Sequence, residues 1–177
     1  FTSCANAVSD AKNKKAIEIK PENNAAILNQ ALYEFENNNI LEAKKLIKML
    51  KRRHQRSPLQ DNAWRYSEAF LHFYDSNYEL GLKAYKKAFQ GKITDFSYIG
   101  VIGYLQKYII DHPTDIQFRF ALAHILIKKS INYSMALEHI EVFIKEALNK
   151  NEYKILIPIA NQYLIEAYEV MNGGLSQ

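Results

Sequence analysis

Residues 24–50 read NAAILNQALYEFENNNILEAKKLIKML, two amphipathic segments separated by three asparagines. Apolar side chains recur three and four residues apart on both sides of the break, which is the spacing of one helix face. Asparagine is a poor helix former that favours turns. The stretch therefore predicts a hairpin of two helices, the first over 22–37 and the second beginning at Ile40.

A second stretch has the same organisation. Residues 62–89 read NAWRYSEAFLHFYDSNYELGLKAYKKAF, with the polar break DSN in place of NNN. Ala31 and Ala69, small residues on the first helices of the two hairpins, are 38 residues apart. Ala43 and Gly81, on the second helices, are also 38 residues apart. A fixed offset at two separate positions indicates an internal repeat.

This hairpin resembles the tetratricopeptide repeat, a helix-turn-helix unit with one small residue on each helix, an aromatic residue between them and a proline after the second helix. Both hairpins keep the family's separation of 12 residues between the small positions. A third copy, HPTDIQFRFALAHILIKKSINYSMALEHIEVFIK, begins with the family's proline, Pro113. It has Leu122, Ala123, Tyr133 and Ala136 in place, although its small residues are 13 apart.

The rest of the chain also has helical spacing. Residues 94–111 predict an extra central helix that is apolar on most sides, 115–129 and 133–149 the two helices of the third copy, and 152–171 a final helix. No useful length alternates with period two, so we expect no sheet. The predicted fold is an all-α, tetratricopeptide-like solenoid of antiparallel helix pairs with a C-terminal capping helix, forming one domain over 21–177. An unrelated helical bundle with the same spacing is the alternative.

The resemblance implies a concave groove, lined by the first helix of each pair, that receives a peptide or another protein. Aromatic and apolar side chains at the matching positions suit an apolar ligand segment. The predicted partner-binding residues are Tyr66, Phe70, Phe73, Tyr74, Phe120, His124 and Ile127. The alternative for each is packing against a neighbouring helix.

Residues 44–56, KKLIKMLKRRHQR, contain seven cations and no acid. They predict a basic patch able to contact anionic lipid, formed by Lys44, Lys48, Lys51, Arg52 and Arg53. The alternative is the solvated face and last turn of a helix, where cations are favourable. The net charge of +4 and pI of about 9.0 fall short of a dedicated nucleic-acid binder, so no nucleic-acid partner is predicted.

The first four residues, FTSC, resemble the lipobox of bacterial lipoproteins, in which the signal peptide is cut before the lipidated cysteine. The resemblance implies lipidation of Cys4, with residues 1–20 forming a tether of small, polar and charged residues. It places the protein in the bacterial cell envelope, lipid-anchored and facing the periplasm. The alternative is a cytoplasmic helical-repeat adaptor in which Cys4 is incidental.

Catalytic motifs are missing from the sequence. It has no HExxH, GxSxG, P-loop or GxGxxG pattern, and one cysteine excludes an internal disulfide and a cysteine-based zinc cluster. The five histidines lack metal-ligand spacing. We therefore predict no catalytic residue, metal or cofactor, and a non-enzymatic protein-interaction adaptor.

Overall fold

The computed structural model describes residues 2–56, 64–90 and 95–173, and within these ranges the chain is helical without a strand. The nine α-helices of this part are α1 (Thr2–Ile19), α2 (Asn24–Glu36), α3 (Ile40–Arg56), α4 (Trp64–Tyr74), α5 (Tyr78–Gln90), α6 (Asp95–Asp111), α7 (Gln117–Lys128), α8 (Tyr133–Ala147) and α9 (Ile157–Met171). A short 3-10 helix, Asn151–Tyr153, precedes α9. The all-α prediction is confirmed.

Consecutive helices form pairs: α2 packs on α3, α4 on α5, and α7 on α8. Further contacts join α2 to α4, α4 to α7, and α7 to α9. The first helices of the pairs therefore lie beside one another in chain order, with α9 after α7. This arrangement gives the aromatic residues of α4 neighbours on several sides.

The first helices of the three pairs end in the same backbone turn. One residue of each turn has a positive φ: 58° at Asn38, 59° at Ser76 and 51° at Ser130. The following N–H donates to the carbonyl five residues earlier, from Asn39 to Glu34, Asn77 to His72 and Ile131 to Leu126, at 2.8, 2.7 and 2.8 Å. This is the Schellman cap, which glycine usually supplies. Its recurrence without glycine indicates that the three turns are equivalent.

The 13-residue spacing of the third pair arises in its turn. In every pair the small residue of the first helix lies seven residues before the positive-φ residue. The small residue of the second helix follows that residue by five positions in the first two pairs and by six in the third. Ile131 is the additional residue, because Asn132 then opens α8 by accepting a hydrogen bond from the Ala136 N–H at 3.1 Å. The helices themselves keep their register.

Small residues lie where the paired helices approach each other. Ala31, Ala43, Ala69, Ala123 and Ala136 are fully buried. At Gly81 there is no room for a side chain, because an added Cβ would lie 2.5 Å from Cδ2 of Phe73. Because Phe73 is itself fully buried, a side chain at position 81 would have to displace a packed ring.

Candidate functional site

The predicted partner-binding residues are mostly interior. Six of them are buried: Tyr66, Phe70, Phe73, Phe120, His124 and Ile127. Tyr74, near the C-terminal end of α4, is 36% exposed. Six of the seven side chains therefore pack against other parts of the chain and Tyr74 alone of the seven is accessible, while a role of these residues in binding a partner stays a prediction.

Helix α6 covers the side of α4 that carries Phe70. The ring centroid of Phe70 lies 5.3 Å from that of Tyr104 and 5.1 Å from that of Tyr108, both on α6. The same ring lies 4.7 Å from Phe35 of α2 and stacks at 4.5 Å on Phe118 of α7. Rings from three other helices thus enclose Phe70, which is buried.

His124 belongs to a second aromatic cluster, between α5, α7 and α9. Its ring lies 5.2 Å from that of Tyr85, and its Nδ1 is 2.5 Å from the hydroxyl of Tyr163. Burial, and secondarily the charge of Lys128, lowers the pKa of His124 to about 3. The imidazole is therefore neutral at physiological pH and acts as a packed ring of the interior.

The predicted basic patch divides into two parts. Lys44, Lys48, Lys51 and Arg52 line a groove between α3 and α4. Arg53 lies on another side of α3, where it donates to Oδ1 of Asn24 at 2.9 Å and to the carbonyl of Pro21 at 2.6 Å. Arg53 therefore joins α3 to the start of α2 and does not share the groove with the other four cations.

The α3–α4 groove is open to solvent and encloses a volume of about 440 Å³. It is lined by Lys44, Ile47, Lys48, Lys51, Arg52 and Gln55 of α3, by Glu68, Leu71 and His72 of α4, and by Asp75 in the turn after α4. Buried Ile47 and Leu71 supply its apolar floor. Two ion pairs bridge its walls, Lys44 with Asp75 at 2.7 Å and Lys51 with Glu68 at 2.5 Å.

Cations outnumber carboxylates in the groove. Four cations face two carboxylates along its lining, and no described acidic residue forms an ion pair with Lys48 or Arg52. Burial, the largest effect, lowers the pKa of His72, with smaller and opposing contributions from Glu68 and Lys51. A neutral His72 leaves the groove with a net charge of +2, which favours an anionic ligand.

Sequence reasoning found the cations of this groove but not its other wall. Lys44, Lys48 and Arg52 are spaced four residues apart, which places them along one face of a helix. The contribution of α4 had no such signal, because Glu68, Leu71 and His72 are scattered among aromatic residues that dominate the pattern. The groove exists only because α3 and α4 lie side by side.

The segment predicted as a tether is helical over Thr2–Ile19, and this helix, α1, packs on α2. Ile17, near the C-terminal end of α1, contacts the hydrophobic core. The backbone of Cys4 belongs to α1, whereas its side chain lies outside the described residues. Lipidation of Cys4 stays a prediction.

Comparison with known proteins identifies no relative: no protein-family model, curated protein or solved structure gives a significant match to this chain. Within the described ranges, no helix combines the length and apolarity needed to cross a membrane. The same part of the chain contains no cluster of three or more His, Cys, Asp or Glu side chains that could hold a metal ion. Of the residues that the sequence singled out, the cations of the α3–α4 groove and the exposed Tyr74 are accessible to a ligand.

Proposed function

We propose that this chain is a non-enzymatic protein-interaction module built from tetratricopeptide-like helix pairs. The observation that carries the proposal is the recurrence of one cap, at Asn38, Ser76 and Ser130, in a constant register with a buried small residue. Stacked helix pairs of this kind expose long surfaces that suit recognition of another protein.

The neighbouring elements support the solenoid interpretation. Helix α9 packs on α8 and α7, and the turn after it contains Gly173, whose φ is 83° and whose N–H donates to the carbonyl of Val170 at 3.3 Å. It therefore resembles the first helix of a further pair and serves as the capping helix. Helix α6 is the extra central element between the second and third pairs.

The interaction is tested by placing a photo-crosslinking amino acid at Tyr74 and irradiating cells that make the protein. We expect a discrete crosslinked partner, because Tyr74 is the accessible member of the predicted binding residues. The same amino acid at Leu80, which is 50% exposed on α5, is the matched control. If neither crosslinking nor co-purification yields a partner protein, an adaptor function is contradicted.

A location in the bacterial cell envelope, anchored by lipid on Cys4, is part of the proposal, and the four residues FTSC support it. A cytoplasmic adaptor with an incidental Cys4 is the alternative. Intact-mass measurement of the protein made with its native leader separates them. Diacylglyceryl and acyl additions on Cys4 are expected for the envelope protein, and an unmodified Cys4 rules the anchor out.

A further inference from the structure

The dimensions of the α3–α4 groove match a short extended segment. Its lining on α3 runs from Lys44 to Gln55, which at the helical rise is about 16 Å. An extended peptide of about five residues covers the same length. The volume of about 440 Å³ lies within the range of pockets that bind organic ligands and exceeds what a single small anion would fill.

The charges of the groove specify the chemistry of that segment. Lys48 and Arg52 lie one helical turn apart on α3 and have no carboxylate partner among the described residues. Guanidinium and ammonium groups form their strongest hydrogen bonds with carboxylates or phosphates. Between the cations, Ile47 and Leu71 form an apolar floor. A ligand that satisfies both features carries two anionic groups and an apolar side chain.

The carboxylates of the groove favour a peptide over a membrane surface. Glu68 of α4 and Asp75 in the turn after it line the groove, where they would face the phosphates of an anionic bilayer and repel them. The backbone N–H groups of a peptide can donate hydrogen bonds to these two carboxylates. The acidic side chains of the same peptide can reach Lys48 and Arg52. A concave floor is also accessible to a single chain and not to a flat bilayer.

We propose that the α3–α4 groove binds an acidic peptide segment of about five residues, with carboxylates on Lys48 and Arg52 and an apolar side chain on Ile47 and Leu71. This assignment rests on the proposed function, because it names the class of segment that the partner presents. It moves the principal binding surface from the aromatic face of the first helices to the boundary between the first and second pairs.

The test uses a fluorescent synthetic peptide of about five residues in which Asp and Leu alternate, and measures its binding by fluorescence anisotropy at low salt. We expect the double variant Lys48→Gln, Arg52→Gln to bind about tenfold more weakly, because two charge-assisted contacts are lost. The double variant Lys86→Gln, Lys87→Gln, which removes the same charge from exposed positions on α5, should bind like the wild type. A peptide with Asn in place of Asp should bind the wild type at least about tenfold more weakly than the Asp peptide, because the same contacts are lost.

Equal loss of affinity in the two double variants, or equal binding of the Asp and Asn peptides, overturns the assignment. The assignment is also overturned if the protein does not bind the peptide but sediments with phosphatidylglycerol vesicles, and if this sedimentation requires Lys48 and Arg52. The proposed function is judged separately by the crosslink at Tyr74. If a partner is crosslinked at Tyr74 but the peptide does not bind, the adaptor function is supported and the assignment of the groove is wrong.

Discussion

Two sides of helix α4 differ in what covers them. On one side, Phe70 is enclosed by rings from α2, α6 and α7. On the other, Leu71 and His72 line a groove against α3 that is open to solvent. The aromatic side resembles a ligand-binding surface in the sequence, yet the chain fills it with its own helix. The charged side stays accessible because burying cations without partners is costly.

Removing the ring of Phe70 is expected to produce the largest effect on the covered side. Phe70→Ala deletes contacts with four neighbouring rings, and we expect the free energy of unfolding to fall by about 3–5 kcal/mol. Urea denaturation measures it. Tyr74→Ala, four residues later and partly exposed, should cost less than about 1 kcal/mol. Similar losses for the two variants would mean that α6 does not enclose Phe70.

A methyl group at Gly81 tests how closely α4 and α5 approach on the covered side. Gly81→Ala places a Cβ 2.5 Å from the Phe73 ring, and overpacking of this kind costs about 1–3 kcal/mol. Gly100→Ala in α6 is the control, because nothing lies within 4 Å of its Cβ. There the higher helix propensity of alanine should stabilise the protein by up to about 1 kcal/mol. Thermal unfolding of both variants distinguishes the two outcomes.

The pH dependence of stability compares an interior histidine with a groove histidine. The folded pKa of His124 is about 3 and its unfolded pKa is about 6.5, so between these values the unfolded state binds more protons. The contribution of neutral His124 to the free energy of unfolding is therefore fully present above pH 6.5 and is lost as the pH falls towards 3. When the pH falls from 7.5 to 5.0, protonation of His124 in the unfolded state lowers the free energy of unfolding of the wild type by roughly 2 kcal/mol. The His124→Gln variant should lack this loss. Denaturation at the two pH values measures this difference.

His72 is the matched position for that experiment. Its pKa is also lowered, but the groove is open and the nearby Glu68 and Asp75 favour the protonated ring. We therefore expect His72→Gln to change the pH dependence less than His124→Gln does. An NMR titration gives an independent check, because the His72 ring should titrate at a higher pH than the His124 ring. The reverse order would contradict the burial of His124.

The smallest effect is expected from an ion pair of the groove. Lys44→Gln removes the partner of Asp75, and more than a third of each of the two side chains is exposed, so solvent screens the pair. The free energy of unfolding should fall by less than about 1 kcal/mol and should depend on salt concentration. Chemical denaturation at low and high salt measures it. A loss as large as that of Phe70→Ala would show that the groove is part of the core.

Periodicity was sufficient to predict the helix pairs because each helix must bury one face whatever its partner is. The small residues Ala31 and Ala43 were recognisable for a related reason, since only a short side chain permits two backbones to approach. The departure in the third copy was visible in the sequence as one extra residue. Its place, at Ile131, required the backbone hydrogen bonds, because spacing alone does not distinguish a turn from a helix end.

Local spacing of side chains thus determined that this chain is helical, that its helices pair and which residues lie between them. Tertiary structure decided which faces remain exposed. Phe70 and Leu71 are neighbours in sequence, and one contacts α6 whereas the other lines the α3–α4 groove. The physical reason is that exposure depends on which distant helix packs against a face, and helical periodicity says that a face is apolar without saying what will cover it.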